Sequence, residues 1–153
     1  MRRPTCPRKC LCGRIAKDLR RRDEEFHVLD EWSLNAKIYE KNGRFEYRDR
    51  PCLVLATGEH VSDLVDLTPN ERKQLGELLP RVHAELLKLS HANNVFVLYL
   101  NPTREHVHVH FVPSYTEDHG RRGQVLMEKG LPPLKRTVPS GLHIARAIVG
   151  ALN

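Results

Sequence analysis

The chain has 153 residues, 40% hydrophobic and 29% charged, with 25 Lys and Arg against 19 Asp and Glu and a formal charge of +6. That length fits one domain, and the composition fits a globular chain rather than a disordered one. No run approaches the ~20 apolar residues that a membrane-spanning helix needs, and the basic start MRRPTCPRKC lacks the apolar core of a secretion signal. A cytoplasmic protein with reduced thiols and no membrane contact is the expectation. The positive excess suits an anionic ligand such as a nucleotide. Nucleic acid is possible but not favoured, because the basic clusters are scattered and the longest, Arg20 to Arg22, is offset at once by Asp23, Glu24 and Glu25.

Cys6, Cys10 and Cys12 crowd three thiols into seven residues, poor geometry for mutual disulfides and better geometry for a metal, while Cys52 stands apart. Residues 13–25 are charged and fit a short helix. FHVLDEW (26–32) is apolar enough for a strand or a buried turn. In AKIYEKNGRFEYR, Asn42-Gly43 separates two alternating segments and supplies the positive φ values of a tight turn, so a hairpin is expected. CLVLAT (52–57) reads as a buried strand. A long helix follows: Thr68 caps it, Pro69 takes the first position, Glu71 completes a capping box, and Leu75, Leu78, Leu79, Val82, Leu86 and Leu87 keep helical period. Pro80 should bend it.

NVFVLYL (94–100) predicts another strand, a turn is expected at Asn101-Pro102, and REHVHVHFVP follows. A last short helix is expected at 141–152, with Leu142, Ala145, Ile148, Val149 and Leu152 on one face. The total predicts an antiparallel sheet with packed helices, an α+β fold in a single domain over 1–153, with its core at about 6–115 and a loop-rich extension at about 116–153.

On a strand, alternate side chains share a face, so His106, His108 and His110 should point one way and Val107, Val109 and Phe111 into a core. The outer two would then stand roughly 14 Å apart at Cα. One metal could take all three only if the strand bent, since a zinc–nitrogen bond is about 2 Å. An exposed polar face is a second reading. The third is a reactive ridge: the middle imidazole, held by a hydrogen bond at one nitrogen, attacks with the other, while its neighbours donate to the anion under attack. An electrophile with several oxygens, such as a phosphate ester, suits such a row.

His-Val-His-Val-His-Phe-Val-Pro resembles the signature of the histidine triad nucleotide hydrolases and transferases. The resemblance extends upstream: CLVLATGEHVSDLVDLTPNE is similar to the family's Gly-His-φ-Leu-Val-Ile-Pro-Lys-x-His segment, KIYEKNGRFEYRD to its hairpin, and CLCGRI to its N-terminal Cys-x-x-Cys. The resemblance implies an α+β fold, a homodimer, and attack by His108 on the α-phosphorus of a nucleoside phosphate derivative through a covalent nucleotidyl-histidine. Dinucleoside polyphosphates or nucleoside phosphoramidates are the implied substrates. It gives His110 a phosphate contact, the backbone at His106 control of the His108 tautomer, and Asn101 a substrate amide. No catalytic metal is implied. A structural zinc is, held by two of Cys6, Cys10 and Cys12 together with His60 and His106.

The chain departs from the pattern in several places. NPTRE stands where a Gly-Gln or Gly-Ser pair is usual, so Thr103 and Arg104 become the candidates for substrate contact. Cys52 takes the usual histidine position, as a packed thiol or a further ligand, and Thr57-Gly58 replaces Pro-Lys. Asp49, just after the hairpin, matches a ribose-binding acid weakly. Trp32 fits either a base-binding wall or core. Two alternatives to the leading activity are hydrolysis of adenylated nucleic-acid ends and a non-catalytic nucleotide- or zinc-binding module.

Overall fold

In a computed structural model, residues 27–29, 31–36, 38–41, 44–47, 50–100, 106–118, 120 and 134–152 are described. Seven strands appear in chain order: β1 (His27–Leu29), β2 (Trp32–Ala36), β3 (Ile38–Lys41), β4 (Arg44–Tyr47), β5 (Leu53–Thr57), β6 (Asn94–Tyr99) and β7 (His108–Ser114). Helix α1 (Pro69–Ser90) separates β5 from β6, and α2 (Gly141–Leu152) follows β7. Five strands form one antiparallel sheet in the order β1-β2-β5-β7-β6, and β3 pairs with β4 as a separate hairpin. This is the expected α+β architecture.

The local signals hold closely. Thr68 caps α1 with both hydrogen bonds of the capping box, Thr68 Oγ1 accepting from Glu71 N–H at 3.2 Å and Glu71 Oε2 accepting from Thr68 N–H at 2.7 Å. Pro80 lies inside α1 on its exposed side. The hydrogen bond it cannot make is the one to Gly76, also exposed, where water can satisfy the carbonyl. In the hairpin, Lys41 pairs with Arg44, which leaves the two-residue connection that Asn42-Gly43 requires. The strand-or-turn segment 26–32 resolves into the short β1 and the start of β2. The expected helix over 13–25 lies outside the described residues.

Both helices cover one face of the sheet. Leu78, Val82 and Leu86 of α1 and Ile144, Ala145, Ile148 and Val149 of α2 join Trp32, Leu34, Leu53, Leu55, Val107, Val109 and Phe111 in one apolar cluster. Each fully buried leucine there contributes about 2 kcal/mol. Trp32 is wholly buried in this cluster, so it is core and not a pocket wall. Ile144 takes the buried place that the periodicity gave to Leu142, which is half-exposed. Gly141 begins α2 where a Cβ would stand 3.1 Å from the Ala36 methyl, and glycine allows that close approach to β2.

Strand alternation fixes what the other face presents. The registers Ser33↔Ala56↔His108 and Asn35↔Val54↔His110 run across β2, β5 and β7 on the face opposite Leu34, Leu55 and Val109. Toward β6 that face becomes apolar: Cys52 and Val112 pack with Phe96, Leu98 and Leu100. Cys52 therefore serves as a small buried filler.

Candidate active site

The site is built at the N-terminal end of β7, where the expected row of three histidines divides. The strand starts at His108; His106 sits in a bend before it. His108 and His110 share a face, with ring centroids 4.9 Å apart and planes at 84°, edge to face. His106 turns instead toward the end of β5. Its Nε2 lies 2.9 Å from the Thr57 carbonyl and 3.2 Å from the Thr57 hydroxyl. Tertiary hydrogen bonds produce the bend: Val107 N–H donates to the Val61 carbonyl at 2.7 Å, and Thr57 N–H donates to the Val107 carbonyl at 3.3 Å.

These partners decide where each ring carries its proton. A carbonyl only accepts, so His106 Nε2 is the N–H nitrogen and Nδ1 the one with a lone pair. Burial depresses the His106 pKa from 6.5 to about 4, against a raising effect of the Thr57 hydrogen bond and with further lowering from His60 and His108. The ring is therefore neutral at pH 7. His108 has the opposite tautomer: Nδ1 lies 2.7 Å from the His106 carbonyl and donates to it, which leaves the lone pair of the neutral ring on Nε2. Neighbouring imidazoles thus carry their protons on opposite ring nitrogens.

His60 reaches the same corner. Its ring centroid is 5.8 Å from that of His106, and its Nε2 lies 3.3 Å from Ser62 Oγ. Two imidazoles this close can share a metal, and a neutral His106 whose Nε2–H is tied to a carbonyl has the outer hydrogen bond that orients metal-ligating histidines. The pair fits half of a two-thiolate, two-imidazole zinc site. Cys6, Cys10 and Cys12 lie outside the described residues, and among the described residues no group of three or more His, Cys, Asp or Glu converges on a metal position. Asp49, Asn101, Thr103 and Arg104 also fall outside the described residues.

The fold adds three further candidates. Ser33 and Asn35 lie on the His108–His110 face, across Ala56 and Val54, and both are buried. Asn35 Oδ1 accepts from Ala36 N–H at 2.8 Å, and Ser33 Oγ donates to the Ala56 carbonyl at 3.3 Å. The period-two alternation of WSLNA carried this signal, since it puts Ser33 and Asn35 opposite Trp32, Leu34 and Ala36. Thr57 is the third.

Several solved structures that share this fold are histidine triad proteins. One from Sinorhizobium meliloti 1021 is 20% identical, with a TM-score of 0.60 over 89% of this chain and 91% of that one. The fold is the histidine triad fold. A hypothetical histidine triad nucleotide-binding protein from Sulfolobus tokodaii strain7 shares it at 13% identity and a TM-score of 0.54, over 92% of this chain and 87% of its own. A zinc-bound histidine triad family protein from Mycobacterium smegmatis shares it at 18% identity and a TM-score of 0.55, over 94% of this chain and 93% of its own. No family model and no curated protein matches the sequence.

Proposed function

We propose that the chain is a histidine triad protein that hydrolyses or transfers nucleotidyl groups, with His108 as its nucleophile. The observation that carries this reading is the 2.7 Å hydrogen bond from His108 Nδ1–H to the His106 carbonyl, which puts the ring's lone pair on Nε2. That nitrogen attacks the α-phosphorus of a nucleoside phosphoramidate or dinucleoside polyphosphate. The N–P bond forms as the P–N or P–O bond to the leaving group breaks, and the leaving group departs with that electron pair and takes a proton from solvent. Water or another acceptor then attacks phosphorus and gives up a proton to solvent, the N–P bond breaks, and the electron pair returns to Nε2.

In this reading His110, edge-on to His108 on the same face, meets the phosphoryl oxygens. Both rings are buried, and a hydrogen bond to a developing charge is stronger in such surroundings than in water. Asn101, Thr103, Arg104 and Asp49 are assigned to substrate contact by resemblance, and Asn35 and Ser33 by their face of the sheet. Zinc would be held by two of Cys6, Cys10 and Cys12 with His60 and His106. Its contribution would be to fix the corner in which His106 sits. A homodimer belongs to the same reading.

The test is a product screen with nucleoside phosphoramidates and dinucleoside polyphosphates, with zinc content and sedimentation measured alongside. Protein quenched at alkaline pH, where the N–P bond survives, should carry one nucleotidyl increment in mass. Its absence from both wild type and a His110→Ala variant that still turns over would remove the covalent step.

A further inference from the structure

We propose that Thr57 is a positioning residue for His108, acting through His106, and that its hydroxyl is part of the device; the proposal rests on the nucleotidyl-transfer reading above. Thr57 ends β5 and is fully buried. All three of its polar atoms turn to residues 106 and 107. Its N–H donates to the Val107 carbonyl, its carbonyl accepts from His106 Nε2, and its hydroxyl oxygen stands 3.2 Å from that same nitrogen.

The consequence for His108 follows from peptide planarity. The His106 carbonyl and the Val107 N–H belong to one peptide group and point in opposite directions. Val61 holds the N–H at 2.7 Å, and the carbonyl is thereby aimed at the His108 ring. What remains adjustable is the rotation of residue 106 about that peptide, and the His106 side chain sets it. A single carbonyl acceptor constrains direction only broadly. The hydroxyl adds a second acceptor to the same N–H, so the ring has less room to turn. Thr57 N–H fixes the next peptide group through the Val107 carbonyl. The related motif places proline here, which has neither N–H nor hydroxyl. Of the three contacts that residue 57 makes to the bend, two are therefore ones that a proline would lack.

Thr57→Val removes the hydroxyl while keeping size, β-branching and both backbone groups. With a nucleoside phosphoramidate as substrate, kcat should fall about 3- to 10-fold, the worth of one ordinary hydrogen bond, with KM changed less than about twofold. Nitrogen-15 spectra of the rings should show faster exchange of the His106 Nε2 proton with water and a weakened His108 Nδ1–H signal. Thr57→Ser, which restores a hydroxyl, should return both. Unchanged kcat together with ring spectra identical to wild type overturns the proposal. If the valine variant does not fold, the wild-type spectrum decides: protonation of His106 at Nδ1, or of His108 at Nε2, overturns it, and the opposite pattern supports it. If the wild type turns over no nucleotide, the nucleotidyl-transfer reading fails, and the ring spectra of the two variants still judge Thr57.

Discussion

The two ends of β7 bury polar groups in opposite ways. At the N-terminal end, imidazoles are held by backbone carbonyls, and His106 is kept neutral with its pKa near 4. At the C-terminal end the buried groups are charged. Arg50 meets both carboxylate oxygens of Asp118, with Nη2–Oδ1 at 2.8 Å, and Asp118 also accepts from Tyr115 N–H at 2.8 Å. The Arg50 and Arg136 guanidinium carbons lie 5.6 and 5.3 Å from the centre of the Tyr115 ring, and the Tyr115 hydroxyl donates to the Ser90 carbonyl at 3.3 Å. A neutral imidazole keeps a lone pair on one ring nitrogen. A bidentate ion pair engages its lone pairs and protons, and what it fixes is position. In the proposed function one end of the strand reacts and the other stays where it is.

His108→Ala separates the two ends most sharply. Turnover should drop by about four orders of magnitude or more, the scale seen when a covalent nucleophile is lost. The unfolding midpoint should move little, as circular dichroism will show. A variant retaining a tenth of wild-type turnover would place the nucleophile elsewhere.

Asp118→Asn should do the reverse. It leaves the Arg50 charge buried without its counter-ion and should cost about 3–5 kcal/mol of stability. Urea unfolding followed by the fluorescence of the single, buried Trp32 measures this. Activity per folded molecule should stay near wild type, and a large fall in kcat would mean that the clasp reaches the reactive end.

The smallest change is Tyr115→Phe, which removes the hydrogen bond to Ser90 and should cost about 1 kcal/mol at neutral pH. Its more telling effect is at alkaline pH. Burial raises the Tyr115 pKa from 10.0 to about 12, against the lowering effects of the Ser90 bond and the nearby arginines. Between those values the unfolded chain has lost the phenol proton while the folded one keeps it. The stabilisation is thus complete below pH 10 and lost as pH rises toward 12. Thermal midpoints across that range should fall more steeply for wild type than for the phenylalanine variant, and parallel slopes would show that Tyr115 does not contribute.

Much of this arrangement was legible in the order of residues because its causes are local. The capping box at Thr68 and Glu71, the period of α1 and α2, the two-residue hairpin link and the alternation of β7 each depend on neighbours within a few positions. The departure of His106 from the strand was not legible. It is made by the carbonyls of Thr57 and Val61, 49 residues away in the case of Thr57. The Arg50–Asp118 pair spans 68 residues and has no local pattern. WSLNA held an alternation that marked its polar face, yet which residues that face would meet depended on pairing with β5.

By itself, then, the sequence determined the elements, the polar and apolar sides of most of them, and the presence of alternating imidazoles beside an apolar core. Dihedral preferences, capping and side-chain period act over a turn or a few residues, and they need no partner from elsewhere in the chain. Tertiary structure alone decided which imidazole leaves the row, which nitrogen of each ring carries the proton, and which strand lies beside the site. Those are set by hydrogen bonds between groups that come together only when the sheet registers close.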